Sequence, residues 1–216
     1  MQYSLLDAAY LAQAAYDPKF NARTKDKLVK SLDHKGVQAH ILSNRTLLIT
    51  GSNGVDDYIN YNLKVFNLFG EKYRFSDETV EAGHSRAMWH QGFLKHARIV
   101  YEFAKPFKPN FIIGHSLGGA SAQILAKSFG VPAIGFASPR TQRKRSAKIK
   151  GEEHSLTLWR VDDTVPHMPP GFRHLGRSIG IGTKVNNPGM DHSMEHYIPL
   201  IKTLAGDPRV PDHWPL

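Results

Sequence analysis

The clearest sign of chemistry in this sequence is a serine flanked by glycines. Residues Gly114 to Gly118 read G-x-S-x-G, with Ser116 at the centre. The apolar run 111–113 suits a buried strand, and the Ala- and Leu-rich stretch from Leu117 suits a helix. A sharp strand-to-helix turn lifts a serine hydroxyl above the carboxyl edge of a sheet and faces it with a helix N-terminus. The pattern predicts Ser116 as a nucleophile for acyl transfer.

A serine nucleophile needs a histidine base and a carboxylate that orients the histidine. In folds with this turn, the acid and then the histidine follow the serine along the chain. Only Asp162 and Asp163 come directly after a predicted buried strand, and position alone leaves both open as the acid. Asp191 and His192 lie where a glycine-containing loop meets a predicted helix, a position from which His192 can reach back across the sheet edge. The other downstream histidines are His154, His167, His174, His196 and His213.

A competing pattern occupies the same segment. His192, Glu195 and His196 spell H-x-x-E-H, a zinc-protease motif. A zinc site would need a third ligand on a following element and an uninterrupted helix, but no glutamate follows Glu195 and Pro199 is close by. Zinc would also leave the serine motif unexplained. We therefore expect no metal and no cofactor, and we interpret His196 as a solvated helix residue.

The elements that must position these residues follow from periodicity and from helix-end signals. Short buried strands alternate with helices in the second half, which indicates an α/β fold with a mostly parallel sheet. We find no repeat or linker, so residues 1–216 are expected to form a single compact domain. The predicted helices are 4–16, 56–69, 84–104, 117–129 and 191–205, and the predicted strands are 37–42, 46–50, 111–113, 134–137 and 155–161.

Composition excludes several classes of protein. The 216 residues are 41% hydrophobic and 22% charged, which excludes wholesale disorder and a membrane-spanning bundle. No cysteine is present, which excludes disulfides and thiolate chemistry. The net charge of +9 favours anionic partners. The first residues lack a basic region and Asp7 interrupts their apolar stretch, so we expect a soluble protein that is cytoplasmic or released without a leader.

Taken together, the motifs resemble the class 3 (fungal-type) lipases. The resemblance spans about residues 5–200, and GHSLGG at 114–119 is its most specific element. The segments that carry it are 5–17 (LLDAAYLAQAAYD), 48–52 (LITGS), Asp57-Tyr58-Ile59, Asn62-Leu63, 89–93 (WHQGF), 114–119 (GHSLGG), 136–140 (FASPR), 163–166 (DTVP) with Pro169-Pro170, 174–176 (HLG) and 192–197 (HSMEHY). The resemblance implies an α/β-hydrolase fold with helices on both faces of the sheet.

The resemblance also implies roles for single residues. It implies Ser116 as nucleophile, His192 as base and Asp163 as the acid, because Asp163 heads the Asp-x-Val-Pro segment. The oxyanion hole would be the N–H of Leu117 with the hydroxyl and N–H of Ser52. Where the family usually writes Phe-Arg-Gly-Thr, this chain has Ile49-Thr50-Gly51-Ser52, which keeps a hydroxyl donor.

Two further segments bear on function. The segment Arg140 to Lys150 is rich in Lys and Arg, and we interpret it either as a solvated helix face or as a docking patch for an anionic surface. Nucleic acid is not expected, because no aromatic residues interleave this segment. Residues 64–82 hold several aromatic residues, which would form either a lid or ordinary core. The short chain favours a small lid or none.

These observations predict a serine ester hydrolase of the lipase or esterase type, acting on lipid-like or other hydrophobic esters. Another serine acyl enzyme is the alternative: a phospholipase A1, thioesterase, acyltransferase or polyesterase. A non-catalytic module that binds lipid or a partner protein is the remote alternative, against which the intact triad pattern argues.

Overall fold

The structure is a computed structural model. It describes residues 1–34, 36–51, 65–68, 71–74, 76–84, 86–144, 149–183 and 191–216. The predicted oxyanion residue Ser52, the family segments Asp57-Tyr58-Ile59 and Asn62-Leu63, and residues 145–148 of the basic segment lie outside these ranges. None of the helices in the described ranges is long and apolar enough to cross a membrane.

The elements alternate between strands and helices along most of the described chain. The helices are α1 (Leu5–Ala14), α2 (Gln91–Ala104), α3 (Leu117–Phe129) and α4 (Met194–Lys202), with short 3₁₀ turns at Lys25–Lys27, Lys105–Phe107, Glu152–His154 and Val165–His167. The strands are β1 (Tyr3–Ser4), β2 (Leu28–His34), β3 (Val37–Leu42), β4 (Thr46–Ile49), β5 (Val65–Leu68), β6 (Glu71–Arg74), β7 (Val80–Ala82), β8 (Met88–His90), β9 (Phe111–His115), β10 (Ala133–Phe136), β11 (Gln142–Arg143), β12 (Ser155–Arg160), β13 (Phe172–Arg173), β14 (Arg177–Ile181) and β15 (His213–Trp214).

A seven-stranded sheet forms the centre, in the order β14-β12-β10-β9-β4-β3-β2. The strands from β14 to β4 are parallel to one another, and β3 and β2 extend the sheet as antiparallel strands. The register of the parallel part aligns Ile49 with Gly114 and Phe136 with His115. The carboxyl ends of β4, β9, β10 and β12 therefore meet along one edge, where ligands bind in open α/β sheets.

Two apolar layers cover the sheet, because successive residues of a strand point to opposite faces. Leu47 and Ile112 belong to a buried cluster with α2 and α3. Their neighbours Leu48 and Ile113 belong to a second cluster with α1 and α4. Helices thus cover both faces, which confirms the predicted mostly parallel α/β architecture.

Several of the predicted helices and strands are present in the structure, and two of the helices have clear capping residues. Ser4 caps α1, since its hydroxyl accepts a hydrogen bond from the N–H of Asp7 at 3.0 Å. Helix α3 spans the predicted residues and ends at Gly130, which adopts φ +67°. The predicted strands at 37–42, 46–50, 111–113, 134–137 and 155–161 correspond to β3, β4, β9, β10 and β12.

Other element predictions were wrong. A helix was predicted over 56–69, but Val65–Leu68 is a strand paired with β6; residues 56–64 and 69 lie outside the described ranges. The helix predicted over 84–104 begins at Gln91, because the N–H of Phe93 donates to the side chain of His90, which caps the helix. The helix predicted over 191–205 covers only Met194–Lys202.

The described residues of the basic segment, 140–144 and 149–150, do not form the solvated helix face that was one of its two predicted interpretations. Residues Gln142–Arg143 pair as a strand with β8 and β13. Arg140 is half-buried, and Arg143 pairs with Glu78 at 2.9 Å. Strand pairing overrides the helical interpretation because the backbone of this segment finds its partners on neighbouring strands. In the described part of the segment, Lys144 and Lys150 are exposed.

Two described side chains of the aromatic segment, residues 64–82, belong to the core. Leu68 and Tyr73 are buried and belong to the cluster that includes α2 and α3. Phe69 and Phe75 lie outside the described ranges. The core interpretation therefore holds for these two residues.

Candidate active site

Ser116 occupies a strained turn between β9 and α3. Its backbone adopts φ 56° and ψ −123°, a region that costs energy for any residue with a side chain. The turn is anchored because the N–H of Ser116 donates to the carbonyl of Phe136 at 2.9 Å. Glycines allow the close packing around it: a Cβ at Gly114 would overlap the carbonyl of Gly118, and one at Gly118 would overlap the carbonyl of Ile49. This is the predicted strand–turn–helix geometry.

The structure separates the two acids that the sequence left open. Asp163 lies 2.7 Å from Nδ1 of His192, and both side chains are buried. Asp162 instead accepts two hydrogen bonds from the guanidinium of Arg160, at 3.0 and 2.9 Å. Asp163 is therefore the acid that reaches the histidine, whereas Asp162 serves an ion pair beside it.

Asp163 is held as an anion by several donors. Its Oδ1 accepts from the N–H of Val165 at 2.9 Å, and its Oδ2 accepts from the hydroxyl of Tyr197 at 2.9 Å. Burial alone would raise the pKa of Asp163, but the charge of His192 and these hydrogen bonds together hold the pKa below its ordinary value. Burial, and then the charge of Asp163, raise the pKa of Tyr197 well above its ordinary value, so Tyr197 remains a donor.

Two buried atoms at this edge have no hydrogen-bond partner among the described residues. They are Oγ of Ser116 and Nε2 of His192. Because Nδ1 of His192 faces Asp163, the neutral ring carries its proton on Nδ1 and offers Nε2 as an acceptor. Buried polar groups normally find partners, so two unsatisfied ones at one sheet edge point to a site that meets a reacting molecule.

The loop after β4 approaches the serine closely. A Cβ built on Gly51 would lie 3.0 Å from Cβ of Ser116 and 3.4 Å from its Oγ, so the backbone of Gly51 lies against the serine. Leu117, whose N–H was predicted as an oxyanion donor, is the first residue of α3 and is buried beside Ser116. Ser52, the second predicted donor, lies outside the described residues.

The two histidines of the H-x-x-E-H segment pair with different carboxylates. His192 pairs with Asp163, while Nδ1 of His196 lies 3.3 Å from Asp191. The His196 side chain is 47% exposed and Glu195 is exposed. Within the described ranges, no group of three or more His, Asp or Glu side chains could hold a metal ion.

Comparison with known proteins assigns the family. The family model described as lipase (class 3) matches residues 45–172, which is more than half of the chain. The chain belongs to the class 3 lipase family. The matched region of this class 3 lipase includes Ser116 and Asp163 and ends before His192.

One curated relative matches this chain at low identity. The curated protein "Putative lipase ATG15" of Eremothecium gossypii is 25% identical over 196 residues, which cover 73% of this chain and 34% of the relative. The chain thus spans about a third of the length of that relative.

Solved structures of fungal lipases resemble this chain in fold. Lipase II of Rhizopus niveus is 17% identical with a TM-score of 0.62, covering 82% of this chain and 80% of its own. Lip2 lipase of Yarrowia lipolytica is 15% identical with a TM-score of 0.58, covering 87% and 80%. At such identities the likeness concerns the fold alone, and it confirms the predicted α/β-hydrolase fold class.

Sequence reasoning missed several residues at or beside this site. Tyr197 lies five residues after His192, within a segment that carried the family resemblance, but nothing in its position indicated a bond to Asp163. Arg160 lies within the predicted buried strand 155–161, and a charge inside such a strand was a usable signal. Tyr16 ends the predicted first helix, 4–16, and nothing in the sequence indicated that its hydroxyl contacts Nδ1 of His115 at 2.6 Å.

Proposed function

We propose that this lipase hydrolyses carboxylic esters through an acyl-enzyme on Ser116, with His192 as base and Asp163 as orienting acid. The observation that carries the proposal is the buried Asp163–His192 pair, 2.7 Å apart, at the sheet edge where Ser116 occupies its strained turn. Membership of the class 3 lipase family supports the same reaction class.

The reaction would proceed in two acyl-transfer steps. Nε2 of His192 takes the hydroxyl proton as Oγ of Ser116 attacks the ester carbonyl, and Asp163 stabilises the imidazolium that results. The tetrahedral intermediate collapses, the alkoxide leaves with the proton from His192, and Ser116 is acylated. Water, deprotonated by His192, then attacks the acyl-enzyme and releases the carboxylic acid and the free serine.

The oxyanion of each intermediate needs donors that point at it. We propose the N–H of Leu117, at the N-terminus of α3, with the N–H and hydroxyl of Ser52. The contact of Gly51 with Ser116 supports this assignment, because the residue after Gly51 follows a backbone that already touches the nucleophile. Loss of one such donor typically lowers turnover by about 10²–10³-fold.

The substrate class that we propose is a lipid-like or otherwise hydrophobic ester. The family name and the names of the solved relatives support lipids, and the buried serine favours a substrate whose acyl group enters an apolar site. A series of p-nitrophenyl esters from acetate to palmitate, each in solution and in emulsion, separates an esterase from an interfacial lipase. Higher turnover on dispersed long-chain esters supports the lipase assignment, and turnover on acetate alone contradicts it.

The nucleophile is tested with Ser116→Ala and a matched control. Ser116→Ala should abolish p-nitrophenyl butyrate cleavage while the far-ultraviolet circular dichroism spectrum stays that of the wild type. Ser128→Ala is the control, because Ser128 is exposed on the same helix and its hydroxyl donates only to the carbonyl of Ile124. Equal turnover in the Ser116 variant and the wild type would contradict the proposal, as would a wild-type protein without any ester cleavage.

We also propose that the positive charge helps the protein adsorb to anionic surfaces. The net charge of +9 and the exposed Lys144 and Lys150 support this. Vesicles of phosphatidylglycerol should retain the protein at low salt and release it at high salt, whereas phosphatidylcholine should not retain it. A Lys144→Glu/Lys150→Glu variant should bind less. Equal binding to both vesicle types would contradict the proposal.

A further inference from the structure

His115, the residue before the nucleophile, lies in the centre of a buried hydrogen-bond chain. Its Nε2 is 2.8 Å from the carbonyl oxygen of His192. Its Nδ1 is 2.6 Å from the hydroxyl of Tyr16, and that hydroxyl accepts from the N–H of Gly51 at 2.9 Å. The acyl-transfer steps described above do not use either side chain.

The direction of every bond in this chain is fixed by the groups that take part. The carbonyl of His192 can only accept, so Nε2 of His115 must carry a proton. Burial, followed by the charge of His192, lowers the pKa of His115 to about 3, so the ring is neutral and Nδ1 is an acceptor. The hydroxyl of Tyr16 therefore donates to Nδ1 while its oxygen accepts from Gly51. For a neutral ring, no other arrangement satisfies all three bonds.

This chain of hydrogen bonds joins three segments that the proposed reaction needs. Gly51 belongs to the loop after β4 and touches Ser116, His115 is the last residue of β9, and His192 precedes α4. Tyr16 comes from outside the sheet, two residues after the end of α1. The rigid rings of His115 and Tyr16 thus connect the backbone of His192 to that of Gly51.

We propose that Tyr16 and His115 are positioning residues for ester hydrolysis, which hold the His192 backbone and the Gly51 amide in register around Ser116. The inference rests on the proposed function. A tether of this kind acts on the geometry of attack, so its loss lowers kcat more than it raises KM. A merely structural role would instead lower the free energy of unfolding and leave turnover per folded molecule unchanged.

Variants of the two residues separate these roles. Tyr16→Phe keeps the ring and removes the hydroxyl, and it should lower kcat on p-nitrophenyl butyrate about tenfold with KM within about twofold. His115→Leu removes both bonds and should lower kcat further. His115→Gln retains an amide donor for the His192 carbonyl and should recover part of that loss. Tyr10→Phe is the matched control on α1, since its ring stacks with Arg23 and Lys202, and it should leave kcat unchanged.

A second measurement tests the directions of these hydrogen bonds without reference to activity. Nitrogen-15 NMR of the histidine rings should show His115 as the neutral tautomer protonated at Nε2 from neutral pH to about pH 5, because its pKa is about 3. The Nδ1 resonance should move in Tyr16→Phe and stay in Tyr10→Phe. The opposite tautomer, or a protonated ring at neutral pH, would overturn the inference.

The kinetic results also distinguish this inference from the proposed function. Unchanged kcat in Tyr16→Phe and His115→Leu, with Ser116→Ala inactive, would overturn the positioning role and leave the nucleophile in place. A loss of kcat that matches the loss of folded protein, measured by active-site titration, would also overturn it. Retained activity in Ser116→Ala would instead contradict the proposed function itself.

Discussion

Arg160 donates a hydrogen bond to Asp191 at 3.0 Å, and the same guanidinium binds Asp162 with two hydrogen bonds. Each of these carboxylates is the sequence neighbour of a proposed catalytic residue, Asp162 of Asp163 and Asp191 of His192. One cation therefore ties the loop that carries the acid to the loop that carries the base. The Arg160 side chain is only 15% exposed, so solvent reaches little of this ion pair.

We expect Arg160→Met to lower the free energy of unfolding by about 3 kcal/mol, since it removes the guanidinium that binds two largely buried carboxylates. Urea denaturation at neutral pH measures the change. The double variant Arg160→Met/Asp191→Asn should recover part of it. Arg209→Met is the control, because Arg209 pairs with Asp207 in solvent and should change stability little. A double variant no more stable than Arg160→Met would argue against this explanation.

Asp163→Asn should lower kcat by about 10⁴-fold, because an amide stabilises the wrong tautomer of His192 and cannot support its positive charge. Asp162→Asn is the matched control next to it in the chain. That variant weakens the bonds to Arg160 but leaves the Asp163–His192 contact, so its loss of kcat should be far smaller. Steady-state kinetics of both variants on one soluble ester measures the two losses of kcat. A larger loss in Asp162→Asn than in Asp163→Asn would assign the role of orienting acid to Asp162.

Acid should destabilise the fold partly through His96. This side chain is fully buried on α2, contacts Oγ of Ser121 at 2.6 Å, and has its pKa lowered by burial to about 3. The unfolded chain binds a proton at His96 below about pH 6.5 while the folded one does not, so stability falls as pH decreases from 6.5 towards 3. At about pH 5 the contribution of His96 to this loss is about 2 kcal/mol.

The contribution is measured with His96→Asn, whose shorter amide lies near the position of Nδ1. The loss of unfolding free energy between about pH 7.5 and pH 5 should be about 2 kcal/mol smaller in the variant than in the wild type. Comparing each protein with itself across pH cancels the packing cost of the substitution. The same loss in both proteins would show that His96 is not the titrating group.

Gly118→Ala should prevent the elbow from closing, because its Cβ would overlap the carbonyl oxygen of Ile49. Backbone atoms of β4 cannot yield without breaking the sheet, so we expect little folded protein by circular dichroism. Gly130→Ala is the control. Its Cβ meets nothing within 4 Å, and only the positive φ of +67° opposes it, at a cost of about 1 kcal/mol. A Gly118→Ala protein as stable as Gly130→Ala would contradict the packing at the elbow.

Local sequence patterns predicted the strands that are buried along most of their length and the helix that ends at a glycine. Strands β9, β10 and β12 are buried on both faces and appear as short apolar runs, and α3 carries its own stop signal in Gly130. The edge strand Leu28–His34 was not predicted, since half-exposed edge residues lack a strong apolar pattern. The helix predicted over 84–104 was too long because Trp89 joins a small sheet with Gln142, a partner that lies 53 residues away in sequence and leaves no local signal.

The sequence by itself determined the serine turn, because glycines and a strand-to-helix change within a few residues leave little conformational choice. It also restricted the acid to two neighbours, Asp162 and Asp163. Position left both open and the family resemblance implied Asp163. The tertiary structure adds that the two side chains leave the chain in different directions, one towards His192 and one towards Arg160. The hydrogen bond that links Tyr16 to His115 likewise has no sequence signature. Its two partners are 99 residues apart and meet because α1 packs against the central sheet beside β9.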